Sequence, residues 1–209
     1  MKRISIVKNL NIKDLSIIGV LATMAFICNS LVATFITPLL GDIGIYAHVG
    51  PSLLLAGIIF VVMLKKIAKP GCFFLFGVVF SILFSLMGLW QMSLVIIPAT
   101  LIGELILSGQ GYHSNFRIII AYTVYGAIYS LHPGFFVWIL GQSGLMSQFP
   151  EMFTEADAVA HVAKYTNLAF VSKILIFTSL FACAGGIFGV LLYKKFFTEN
   201  NKNSLLDQL

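Results

Sequence analysis

The chain has 209 residues, of which 59% are hydrophobic and only 10% charged, and its mean hydropathy is +0.98. Soluble domains carry about 25% charged residues, so this composition excludes a soluble globular domain and points to an integral membrane protein of one domain, 1–209. The net charge of +5 cannot be read as nucleic-acid binding until it is located.

Residues 1–14 are basic and mildly amphipathic: Lys2, Arg3, Lys8 and Lys13 alternate with Ile4, Ile6, Val7, Leu10 and Ile12. This pattern suits a surface-lying helix or a frayed tail. From Asp14 to about Thr37 no charge interrupts the run, which is long enough to cross a bilayer at ~20 apolar residues. It is too long for a signal-peptide core and is expected to be retained. Gly19, Ala22, Ala25, Asn29 and Ala33 fall on one broad side of this helix, with Phe26 among them. Small residues let helix backbones approach, so this side serves either internal packing or docking of a second membrane protein. Pro38 and Gly41 mark the end, and a loop is expected over 41–50.

Further spans are expected from about Pro51 to Lys65, from Cys72 to Met87, from Met92 to Leu107, from Arg117 to Leu140 and from Leu168 to Tyr193. His132-Pro133-Gly134 should kink or break the fifth. A polar segment over 141–166 is expected as a loop holding one short helix, because Thr154-Glu-Ala-Asp157 resembles a capping box with Asp in place of Glu or Gln. Ala182-Cys-Ala-Gly-Gly-Ile-Phe-Gly189 is a second small-residue surface. Residues 196–209 read as a polar tail. The fold class is therefore all-α, a six-transmembrane-helix bundle.

Six spans put both termini on one side. On that side lie Lys2, Arg3, Lys8, Lys13, Lys65, Lys66, Lys69, Arg117, Lys194, Lys195 and Lys202, against only Lys164 and Lys173 on the other. The positive-inside rule then places both termini in the cytoplasm. The basic charge belongs to the membrane surface and calls for no nucleic acid. Cys28, Cys72 and Cys183 show no C-x-x-C spacing, so neither a metal site nor a disulfide framework is expected.

Two kinds of chemistry compete. Gly141-Gln-Ser-Gly144 matches the G-x-S-G pattern of rhomboid-like intramembrane serine proteases, with Ser143 as nucleophile. That chemistry needs a base within hydrogen-bond reach, yet residues 168–193 contain no histidine. There is no H-E-x-x-H either, and no catalytic residue is assigned. The stronger reading is a solute-binding membrane protein. His48, Trp90, Gln91, His132, Trp138, Tyr165 and Asn167 come from separate segments at similar depth near the outer surface. Aromatic walls with few polar groups suit a small-molecule site. Taken singly, Trp90, Trp138 and Tyr165 also fit interfacial anchors. Glu104 lies ~20 Å deep in its span, near the terminal side, where it can cap a neighbouring helix or meet a partner.

Ile12-Lys-Asp-Leu-Ser-Ile-Ile-Gly19, Leu83-Phe-Ser-Leu-Met-Gly-Leu-Trp90 and Leu101-Ile-Gly-Glu-Leu-Ile106, with the long segment before the last span and the doubly basic ending, carry a resemblance. The chain resembles substrate-binding (S) components of energy-coupling factor (ECF) type ABC transporters, in particular the Trep_Strep or MptS-like group. The resemblance implies a cell-membrane, multi-pass protein without enzymatic activity. It implies capture of a micronutrient, of vitamin or cofactor class, from outside, and docking on a transmembrane coupling protein with two cytoplasmic ATPases. The family's alanine-x-x-x-alanine docking pattern would fall on Gly19 and Thr23, flanked by Ala22 and Ala25, with Phe26 departing from it. No intrinsic cofactor is implied. Haem is one candidate cargo, with His48, His132 or His161 as axial ligand.

Overall fold

The computed structural model describes residues 9–151 and 153–199. The basic positions Lys2, Arg3 and Lys8 and the tail beyond Glu199, Lys202 included, lie outside the described residues. All regular structure among those residues is helical.

The first helix, α1 (Ile12–Leu39), starts on a reciprocal cap: Asn11 Oδ1 accepts from the Asp14 amide and the Asp14 carboxylate accepts from the Asn11 amide, both at 2.9 Å. Two helix-end donors are thereby satisfied. Pro38 sits inside the last turn, and Gly41 follows at φ +56°, a left-handed conformation that an L side chain resists. The expected loop over 41–50 is instead helical. A 3-10 turn (Gly41–Ile43) leads to α2 (Gly44–Ala47), and α3 (Val49–Ile67) begins directly after His48. A run of small and apolar residues without proline kept this segment helical where sparse charge and three glycines suggested a loop.

The next helices are α4 (Cys72–Leu86), α5 (Ser93–Leu107) and α6 (Asn115–Tyr129). The fifth span breaks at Ser130-Leu131, as His132-Pro133 required, and α7 (His132–Gln148) takes a new direction. Here the structure corrects the sequence reading of 141–166 as a loop. Helical structure runs to Gln148 through a kink at Gly141, whose φ is +64°. Leu145 and Phe149 are spaced one turn apart beyond the kink and anchor this half apolar-side inward. The helix α8 (Glu155–Thr166) starts at the Thr154/Asp157 capping box, with Thr154 Oγ1 accepting from the Asp157 amide at 3.2 Å. The last long helix is α9 (Leu168–Tyr193). Five stretches are long and apolar enough to cross a membrane: Ile12–Leu39, Gly44–Ile67, Trp90–Leu107, Asn115–Gln148 and Leu168–Phe197. Cys72–Leu86 is a shorter apolar helix.

Six helices close a ring in the spatial order α1, α3, α9, α6, α5, α4 and back to α1. Small residues make the closest approaches possible. A methyl group on Gly185 would lie 2.7 Å from the Leu53 carbonyl, and one on Gly189 would lie 2.8 Å from Val61. The Ala182–Gly189 surface read in the sequence is thus the α9–α3 seam. In lipid, such contact replaces the hydrophobic driving force that two helices lack. The centre of the ring is aromatic. Phe60 stacks on Tyr122 at 4.6 Å between centroids, and Phe73, Phe76 and Tyr125 pack around them.

At the end carrying both described termini, polar groups are tightly paired. The Glu104 carboxylate accepts from the Gly71 amide at 2.6 Å, the Phe74 amide at 3.1 Å and the Tyr112 hydroxyl at 2.7 Å. Glu104 therefore caps α4 from the neighbouring α5, satisfying amides that a helix start leaves free. Burial, then the hydrogen bond to Glu104, pushes the Tyr112 hydroxyl well above its ordinary range. Arg117 Nε donates to the Ile106 carbonyl at 2.8 Å, closing the end of α5. Lys69 pairs with Asp14 and ties the α3–α4 turn to the start of α1.

Candidate functional site: an aromatic cavity with three histidines

The opposite end of the ring is covered by α2, α7 and α8. They enclose a cavity of about 180 Å³. Its wall is assembled from Ile45 of α2, His48 at the α2–α3 junction, Leu89 in the α4–α5 turn, and His132, Pro133, Phe136 and Leu145 of α7. Phe149, Phe153 and His161 complete it from the α7–α8 connection and α8. No charged side chain belongs to this lining.

Local structure explains each placement. The break after Tyr129 turns α7 across the end of the bundle, so His132 lies tilted at 5.0 Å on Tyr129 and continues a column of rings through Tyr125 and Tyr122. The column has a 3–4 residue spacing, one face of α6 carried past its end. His132 Nδ1 lies 2.8 Å from the Tyr129 carbonyl. The direct entry of α2 into α3 puts His48 one turn after Gly44, with Nδ1 3.0 Å from the Gly44 carbonyl. The His48 and His132 rings meet edge to face at 6.0 Å.

The roof is held by a second aromatic cluster. Tyr46 OH lies 2.9 Å from His161 Nδ1 and its ring stacks on that imidazole at 5.2 Å. Lys164 Nζ sits 4.4 Å above the Tyr46 ring, a cation–π contact. Tyr165 packs beside Tyr46 and Phe170. Gly134 has to be glycine here, because a Cβ would collide with the Tyr165 ring. Burial holds the His161 imidazolium disfavoured, so its pKa lies below the usual range. The Pro133 carbonyl opposes that shift and the Lys164 charge reinforces it. Burial, and then Tyr46, raises the Tyr165 hydroxyl. At the start of α8, the hydrogen bonds from the Thr154 hydroxyl and amide lower Asp157.

The residues proposed from sequence separate into groups. His48 and His132 face the cavity together. Tyr165 is buried behind the roof, next to His161. Gln91 is buried in the turn beside Leu89, and its Oε1 has no partner among the described residues. Trp90 and Trp138 are 57% and 52% exposed, which suits rings at a membrane interface rather than cavity walls. Asn167 is exposed and caps α9, its Oδ1 accepting from the Ala169 and Phe170 amides at 3.0 and 3.2 Å. Tyr46, Phe136, Phe149 and Phe153 were not in the sequence set, and His161 entered it only as a candidate haem ligand. The period of Leu145, Phe149 and Phe153 across an apparently polar segment was the signal for two of them. Of the candidate docking residues, Ala22 and Ala25 are fully buried within the ring, while Gly19 and Thr23 lie at its rim. The small-residue side of α1 thus packs on α3 and α4 of the same chain. Ser143 is exposed in the kinked half of α7 and bonds to no histidine among the described residues. Among those residues no three His, Cys, Asp or Glu gather as metal ligands, and Cys28, Cys72 and Cys183 are free.

A ring of apolar helices with an aromatic cavity at one end is the architecture of a multi-pass integral membrane protein. The chain belongs to the Trep_Strep family, described as a hypothetical bacterial integral membrane protein, whose family model matches residues 12–199. No curated protein and no solved structure matches it.

Proposed function

We propose that the protein is the membrane-embedded substrate-binding component of an ECF-type ABC importer. It captures a small micronutrient of vitamin or cofactor class in the three-histidine cavity and passes it on with a coupling membrane protein and two cytoplasmic ATPases. The observation that carries this reading is the cavity itself: apolar walls, few polar groups, and contributions from α2, α7, α8 and the α4–α5 turn at one end. A ligand held between segments orders all of them at once, and so couples occupancy to the shape of that end. Haem, the largest candidate cargo, would require the roof to open well beyond its present arrangement. The described basic residues support cytoplasmic termini: Lys13, Lys65, Lys66, Lys69, Arg117, Lys194 and Lys195 sit at the terminal end, against Lys164 and Lys173 at the other. Gly19, Thr23 and the exposed apolar side of α1, with Val20, Met24 and Ile27, are what remains for a coupling protein to touch.

Purification of the tagged full chain from its native membrane tests this reading. Two ATPases and a second multi-pass protein should copurify, and their absence under conditions that preserve membrane complexes would contradict it. The orientation is tested separately in a chain lacking its three native cysteines. Ser147→Cys should react with an impermeant thiol reagent on intact cells and Gln110→Cys should not.

A further inference from the structure

The chemistry of the cavity wall narrows the ligand. A carbonyl oxygen only accepts hydrogen bonds, so the Nδ1 atoms of His48 and His132, at 3.0 and 2.8 Å from the Gly44 and Tyr129 carbonyls, carry the ring protons. In the neutral rings each Nε2 is then an acceptor, and neither has a hydrogen-bond partner among the described residues. His161 differs: its Nδ1 meets the Tyr46 hydroxyl at 2.9 Å and the Pro133 carbonyl faces the same ring. Its Nδ1 is thereby engaged. His48 and His132 therefore offer the cavity two free acceptors.

We propose that this cavity takes a small, flat, uncharged molecule that donates hydrogen bonds to the Nε2 atoms of His48 and His132. The inference rests on the proposed capture function, whose site it shares. An anionic ligand is disfavoured because its oxygens would meet nitrogen lone pairs, with no Lys or Arg in the lining to balance them. A free divalent cation is disfavoured because it would find two neutral nitrogens and no carboxylate or thiolate, where zinc sites hold three or four protein ligands. A donor molecule leaves no charge buried and pairs both acceptors. Phe136 and Phe149, packed edge to face at 5.8 Å, supply apolar walls for a planar ring. The volume of about 180 Å³ is below the ~300–1,000 Å³ of pockets for drug-sized ligands, which limits the ligand to one or two fused rings.

The test is calorimetric titration of the purified full chain in detergent. The probes are 2-benzimidazolone and uracil, both neutral, flat and carrying two N–H donors. Their N,N′-dimethyl analogues, benzimidazolone-5-carboxylate and zinc chloride serve as comparisons. At least one donor probe should bind, and its methylation should weaken binding tenfold or more, a comparison that needs no variant protein. His48→Phe and His132→Phe should each weaken the donor tenfold while leaving the methylated analogue unchanged. Equal binding of donor and methylated probe, no binding of either donor, tighter binding of the carboxylate, or histidine-dependent zinc binding would each overturn the proposal. The two readings fail separately. Copurifying ATPases with no donor binding would leave capture standing and sink the ligand class. Donor binding without any ATPase partner would do the reverse.

Discussion

The two ends of the bundle are built on opposite plans. At the terminal end, Glu104, Tyr112, Arg117, Asp14 and Lys69 pair with one another or with helix-end backbone. At the other end and in the middle of the bundle lie all the buried side-chain atoms that lack a partner among the described residues: Asn29 Oδ1, Ser81 Oγ, Gln91 Oε1, Tyr125 OH, Tyr165 OH and Thr178 Oγ1. An unpaired buried polar group costs about 1–3 kcal/mol, so the second plan concedes stability where the first secures it. Stability and the capacity to rearrange are thereby assigned to separate ends of the bundle.

The sharpest way to break this contrast is Glu104→Ala. It leaves two helix-start amides and the Tyr112 hydroxyl without their acceptor, and should cost about 3 kcal/mol or more. The expected result is a large fall in the heat or SDS midpoint, with Glu104→Gln losing less. A midpoint unchanged within error would show that the terminal end is not the anchor.

Gly134→Val is expected to come next. Its side chain meets the Tyr165 ring and should lift α8 from α7, at about 1–3 kcal/mol for overpacking. Proteolysis should then cut faster within 149–166 while the terminal end stays protected. Uniform loosening of both ends would mean that they are not separate units.

Tyr46→Phe removes the hydroxyl that faces His161 and should cost about 1 kcal/mol locally. The same contact has a pH dependence with a definite sign. Because the pKa of His161 is lowered in the folded roof, the unfolded or undocked segment binds the extra proton. The stabilisation is complete above the unfolded value of ~6.5 and is lost as pH falls below it. Hydrogen exchange of α8 should accelerate between pH 7.5 and 5.5, and His161→Gln should flatten that dependence. Tyr46, Lys164 and Tyr165 are the groups that face the ring.

Ser143→Ala should be the smallest change, within about 0.5 kcal/mol for an exposed position. Capture should be unaffected, and loss of a peptide-cleaving activity would revive the serine protease alternative.

The terminal end was the more legible from sequence. A lone carboxylate one turn from the end of a span and a basic cluster each have a local physical meaning. Glu104 accordingly proved to be a helix cap. The α9 span, the α6–α7 break and the capping box of α8 also follow from residue-by-residue rules. The roof was harder. Gly141 ends an apolar run by its composition, yet at φ +64° it only redirects the helix. His161 was read only as a candidate haem ligand, because its partner Tyr46 and the neighbouring Pro133 come from two distant segments. Depth along a helix can be read from sequence. Which way a side chain faces around the ring depends on six mutual rotations, and that is why Trp90 and Trp138 pointed outward while Phe136 and Phe149 pointed in.

Three consecutive ring helices, α4, α5 and α6, have only 15 residues each, or ~22 Å at 1.5 Å per residue. Across the ring, α1 and α9 have 28 and 26 residues, ~42 and ~39 Å by the same rise. The hydrocarbon layer they sit in is ~30 Å thick; α4 falls short of it, α5 and α6 reach it only with the 3-10 turn before α5 and with α7 after α6, and the other flank exceeds it. Lipid must thin beside α4, while the long flank must lean or push the headgroups outward, at a fraction of a kcal/mol per ångström. The protein is a wedge in a sheet of uniform thickness, and the elastic stress it sets up in the surrounding membrane favours a tilted seat over an upright one.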